Sequence, residues 1–89
     1  MRAVISVVGK DRPGILACVA TACAQRNINI VDVTQKVLQD LFTMIMIVDL
    51  PEDLENMHAI ADEFEALGEE QALVIHVMHE DIFNAMHSI

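Results

Sequence analysis

Residues 2 to 16 read RAVISVVGKDRPGIL, and the change of character inside this stretch decides the fold. Arg2 to Val8 is rich in β-branched residues and free of turn formers, the composition of a strand. Gly9-Lys10-Asp11-Arg12 breaks it. Pro13 follows, and proline suits the first turn of a helix because its missing N–H would go unpaired there anyway. A helix is expected from Pro13 to Arg26, with Ile15, Leu16, Val19, Ala22 and Cys23 recurring at three- and four-residue spacings as one buried stripe. Cys18, Thr21 and Gln25 fall on the other side. Asn27, a residue that tolerates the left-handed region, closes the helix.

Outward from there, Ile28 to Leu38 reads as a second strand whose alternation changes phase. Ile28 and Ile30 are apolar in one register, then Val31, Val33 and Val37 in the other, which a bulge near Ile30 would explain. Gln39-Asp40 is too short for anything but an antiparallel hairpin into a third strand, Phe42 to Leu50. Pro51 opens a second helix with Leu54, Met57, Ile60, Ala61, Phe64 and Leu67 as its buried stripe. Glu52, Asp53, Glu55, Asp62, Glu63 and Glu65 are its wet side, the first of them well placed near the helix N-terminus. Gly68 is the expected stop. Ala72 to Met78 makes a fourth strand, and from Glu80 a short helix carries Ile82, Phe83 and Met86 on one side. The class is α+β: a ferredoxin-like βαββαβ sandwich over residues 1–89. Right-handed crossovers put both long helices on one face of a four-stranded antiparallel sheet, and a short C-terminal helix follows.

Helices cover one side of such a sheet, so the other side of a monomer should be polar. It is not. Phe42, Met44, Met46 and Val48 point one way while Ile45 and Ile47 point the other. Leu73, Ile75 and Val77 stand opposite Val74 and Met78, and Ile5 and Val7 opposite Val4 and Val8. Apolar residues on both faces predict a second cover, with a homodimer as the expected one; a monomer with an oily face is the plainer reading.

Composition narrows the partners. The 89 residues are 54% hydrophobic and carry a net charge of −9, with a pI near 4.5. That acidity argues against nucleic-acid binding, since phosphate backbones are repelled. With three Phe and no Tyr or Trp, the stacking platform of an RNA-binding sheet is missing. No apolar run approaches the ~20 residues of a membrane span, and a strand stands where a signal peptide would be, so no membrane partner and a cytoplasmic location are expected.

Against fourteen acidic residues there are five basic ones, yet Lys10 and Arg12 sit together in the loop before the first helix. The free N–H groups and dipole of a helix N-terminus favour an anion, and Gly14 offers no side chain to block its approach. The same residues also admit a purely structural reading, in which Asp11 caps the helix, Pro13 starts it and Gly14 relieves crowding. Cys18 and Cys23 stand roughly 8 Å apart along one helix, beyond disulfide reach, and read as packing residues of a reducing compartment. His58, His76, His79 and His87 show no HxH or HExxH spacing, so no metal and no cofactor are expected. Met44, Met46, Met57, Met78 and Met86 fit apolar stripes as core filling.

The strand–GKDRPGIL–helix–NINIVDV pattern, within this six-element order and including the closing EDIFNAMHSI, resembles the ACT domain, in particular the small bacterial and archaeal proteins made of one such domain. The resemblance implies a non-catalytic regulatory domain that binds an amino acid or related small anion at an interface between domains, acting as a homodimer. It implies ligand contacts from Asp11, Arg12, Pro13, Gly14, Ile15 and Leu16 in the loop and helix start, and from Asn27, Asn29, Ile30 and Asp32 around the second strand. Helix N–H groups would take a carboxylate, and Asn29 or Asp32 would meet an amino group. One departure stands out. No enzyme is attached, so regulation would act through a separate protein or through assembly state.

Two other classes share the architecture. A protein-interaction module would leave the loop empty. An acylphosphatase-like hydrolase would use Arg12 and Asn29 on a phosphate, but the glycine-rich cradle that should carry the arginine is missing.

Overall fold

A computed structural model describes residues 1–51 and 54–87; of residues 54–56 and 87 the backbone alone is described. The order is β1 (Arg2–Lys10), α1 (Ile15–Gln25), β2 (Asn29–Leu38), β3 (Leu41–Asp49), α2 (Leu54–Gln71), β4 (Leu73–His79) and α3 (Glu80–His87). The strands form one sheet in the order β2-β3-β1-β4, antiparallel throughout. This is the ferredoxin-like arrangement read from the chain.

The register fixes both faces. Ile5 lies opposite Met46 and Val77, and Val7 opposite Met44 and Ile75. These side chains meet Ile15, Val19, Ala22 and Cys23 of α1 and Ile60 and Phe64 of α2 in one buried cluster. Between Ile30 and Asp32 the β2–β3 register slips by one residue, leaving Val31 over. The phase change in the sequence is therefore a β-bulge. Asp32 steadies it, its Oδ1 accepting the Val33 N–H at 2.9 Å.

Several expectations need correction. α1 starts at Ile15, with Gly14 as its N-cap and Pro13 ahead of it. Leu16 is 39% exposed and lies outside the buried stripe. α2 does not stop at Gly68 but runs to Gln71, where Ala72 takes the left-handed turn at φ 58°. Gly68 is instead a packing residue: a Cβ there would stand 2.6 Å from the Leu73 carbonyl oxygen, so its absence lets α2 lie against β4. Ile82 and Met86 of α3 are exposed, so Met86 is no core filler. The readings of Glu52 and Asp53, and of the Leu54, Glu55 and His87 side chains, fall outside the described residues.

The sheet face away from α1 and α2 carries Val4, Val8, Ile45, Ile47, Val74 and Met78, as the alternation implied, interspersed with Ser6, Thr43 and His76. α3 packs on β1 and β4, and Val4 on that face is buried at 2% exposure. Val8, Ile45 and Val74 remain 38–55% exposed.

Candidate functional site

The loop after β1 is held from two sides. The Asp11 N–H donates to the Asp40 carbonyl at 2.7 Å, fastening it to the β2–β3 turn. Arg12 Nη2 donates to the Gln71 carbonyl at 2.8 Å and lies 3.4 Å from Gln71 Oε1, so the guanidinium caps the C-terminus of α2. Lys10 does not share that environment. It is the last residue of β1, opposite Leu41, in the row of Val4 and Val8 on the open face. The two cations of the loop thus go to different sides of the sheet.

Gly14 adopts φ 88°, ψ 3°, a conformation that glycine enters without steric cost. Its carbonyl accepts the Cys18 N–H at 2.9 Å, the first bond of α1. No side chain caps the helix, and its first turn holds no acidic residue. Asp11 is therefore not the cap. The amides of Ile15, Leu16 and Ala17 are left with no helical acceptor. A Cβ built on Gly14 would meet nothing within 4 Å. Unpaired N–H groups at the positive end of a helix dipole, beside open space, suit a carboxylate or other small anion.

From Gly14 an open groove of about 430 Å³ runs along α1, lined by Ala17, Cys18, Thr21, Ala22, Gln25, Arg26 and Leu67. Arg26 shapes its far end. It pairs with Glu63 at 3.2 Å, donates to the Ala22 carbonyl at 2.9 Å and lies 5.3 Å from the Phe64 ring centroid. Ala17, Thr21 and Gln25 line this groove; the sequence marks Thr21 and Gln25 only as residues on the side of α1 away from the stripe, and gives no signal for Ala17. Cys18 is half-buried there, whereas Cys23 is fully buried. Burial pushes the Cys23 thiol up to about 11, against a smaller opposing effect of Arg26.

The sequence-derived site does not come together within one chain. Asp11, Arg12, Pro13, Gly14, Ile15 and Leu16 lie at the end of the sheet where Lys10, Leu41 and Leu38 are neighbours. Asn27, Asn29, Ile30 and Asp32 lie toward the other end, where Asn29, Asp49 and Arg2 are neighbours. Eight residue steps along β1 separate those rows, about 26 Å. Within the first group the Ile15 side chain is in the core, so only its backbone is available. Asn27, at φ 56°, ends α1 as expected.

The histidines are dispersed. His79 Nδ1 accepts the Asp81 N–H at 3.0 Å and so caps α3. His76 belongs to the open sheet face and His58 is exposed on α2. Among the described residues no three metal-ligating side chains cluster, and no helix is long and apolar enough to cross a membrane.

Fold, loop and helix terminus define a small α+β domain with a ferredoxin-like sheet and a first helix that no side chain caps. The chain belongs to the ACT domain family: the model of that family, described as ACT domain, matches residues 2–78. It is 44% identical over 88 residues to a UPF0237 protein of Methanopyrus kandleri, covering 99% of this chain and 98% of that one. A UPF0237 protein of Listeria innocua is 44% identical over 89 residues, the full length of both. Among solved structures, an ACT domain protein from Streptococcus pneumoniae superimposes with a TM-score of 0.84 at 39% identity, over 98% of each chain. A putative glycine cleavage system transcriptional repressor superimposes at 0.73 and 28% identity, over 85% of this chain and 43% of that one.

Proposed function

We propose that the chain is a non-catalytic regulatory domain that binds an amino acid or closely related small carboxylate, and that it works as a homodimer. The uncapped start of α1 carries the reading: three amides without a helical acceptor follow Gly14, beside which a Cβ would meet nothing within 4 Å, in a chain of the ACT family. The ligand carboxylate takes those N–H groups. Its amino group is met by Asn29 or Asp32, whose rows in one chain lie eight and six residue steps from the Lys10 row, about 26 and 20 Å. A second copy is thus part of the site. The likeness to a putative glycine cleavage system transcriptional repressor supports a regulatory output, exerted here through a separate protein or through assembly.

Thermal unfolding followed by circular dichroism across an amino-acid panel tests this. A ligand at 100 times its Kd adds about 2.7 kcal/mol, which raises the midpoint of a domain of this size by roughly 10 °C or more. A panel in which no amino acid moves the midpoint overturns the proposal and favours an interaction module.

A further inference from the structure

β4 runs into α3 with no loop between them, through Met78-His79-Glu80-Asp81-Ile82. α2 packs along β4, and α3 touches β1 and β4. At the junction of the three elements lies a cleft of about 510 Å³, walled by Met57, Ala61, Val77, Met78 and Ile82, with His58 and His79 as its polar members. It shares no lining residue with the groove along α1. Small-molecule sites measure about 300–1,000 Å³ and set a few polar groups in an apolar wall, and this cleft matches them on both counts. Two of its wall residues are methionines, whose unbranched side chains adapt to the shape of a guest.

His79 says what kind of guest. It directly precedes α3, and its Nδ1 accepts the Asp81 N–H at 3.0 Å, the bond an N-cap side chain makes. A ring nitrogen that accepts carries no proton, so the proton of the neutral imidazole is on Nε2. The side chain is 30% exposed, and among the described residues Nε2–H has no partner. The cleft therefore offers a hydrogen-bond donor. The same tautomer speaks against a metal, because the nitrogen free to bind one is the protonated one. Charge narrows the guest further. No lysine or arginine lines the cleft, Glu80 and Asp81 form the first turn of α3, and a carboxylate oxygen of Asp81 lies 3.7 Å from His79 Nδ1. A free carboxylate would be repelled there.

We propose that this cleft binds an uncharged, largely apolar small molecule whose carbonyl oxygen accepts from His79 Nε2–H, its apolar body lying against Met57 and Ala61 of α2 and against Met78 and Ile82. The site is distinct from the carboxylate site proposed at Gly14, opposite to it in charge preference, and does not rest on it.

Amide NMR titration of the wild-type chain near neutral pH tests this with two probes of one shape. Methyl pentyl ketone is the neutral one; hexanoate puts a charged oxygen where the ketone has a methyl group. The ketone should shift the Ala61, Met78, Asp81 and Ile82 amides saturably, with a Kd on the order of 1 mM for so small a molecule, and leave Ile15, Leu16 and Ala17 unmoved. Hexanoate should bind the cleft at least about tenfold more weakly. His79→Asn keeps an acceptor for the Asp81 N–H and removes the donor at Nε2. It should leave α3 folded, as its amide shifts report, and weaken the ketone by roughly five- to tenfold. Ala61→Leu, which fills the cleft from α2, should abolish the saturable shifts; if that variant misfolds, His79→Asn decides alone. No saturable shift with the ketone, hexanoate binding as tightly, or a His79→Asn chain that binds like wild type overturns the proposal. Cleft amides that move with protein concentration alone would assign the cleft to a second copy and overturn it as well.

Discussion

Gly14 concentrates the account into one residue. Its φ of 88° and the open space around its missing Cβ mean that a substitution is opposed by the backbone and not by a clash. Gly14→Asn should therefore fold with nearly wild-type stability, because asparagine accepts the left-handed region. Gly14→Val should cost on the order of 1–2 kcal/mol and lose the ligand-induced rise in melting temperature. Paired denaturation curves with and without ligand check both. The cysteines give a second residue-level prediction. Burial raises the Cys23 thiol to about 11, so the folded chain holds that proton at a pH where the unfolded chain, with an ordinary thiol, has released it. Stability should thus decline as pH rises from about 9 to about 11 and be unaffected by this group below that window. Thiol labelling at neutral pH should modify Cys18 readily and Cys23 only on unfolding. Equal rates for the two would contradict the burial.

At the scale of elements, the α2–β4 junction has no room for a side chain at position 68. A Cβ at position 68 would lie 2.6 Å from a backbone oxygen that cannot rotate away. Gly68→Ala should destabilise the domain by roughly 1–3 kcal/mol despite alanine's better helix propensity, as read from chemical denaturation. A neutral or stabilising result would mean that α2 can stand off from β4. Gly68 also shows where sequence reading falls short. A glycine at the end of an amphipathic run signals either a helix stop or a close approach, and only the position of β4 separates the two. The strands were legible because alternation with period two survives local context, and the phase slip at Ile30 marked the bulge directly. Leu16 and Met86 were misread for the reason that a stripe gives the direction of a face and not its width. The loop GKDRPGIL was readable as the turn into the first helix, but the partition of its two cations was not. Arg12 goes to the carbonyl that α2 leaves unpaired at its end, and the chain that far downstream sets no local pattern.

For the whole molecule, three features of the single chain are left open. Val8, Ile45 and Val74 lie exposed on one sheet face, β2 has a free edge, and the residues read as ligand contacts stand at opposite ends of the strands. Sequence alone could propose the contacts. The topology, which sends β1 and β2 in from the same end, puts one proposed half where β1 stops and the other where β2 starts; the proposed function joins them with a second copy. The most direct measurement is an amide NMR titration of the wild-type protein with the amino acid that raises its melting temperature most. The account requires the largest shifts at Ile15, Leu16 and Ala17. Shifts confined to the cleft formed by Met57, His58, Ala61, Val77, Met78, His79 and Ile82, with the start of α1 unmoved, would contradict it.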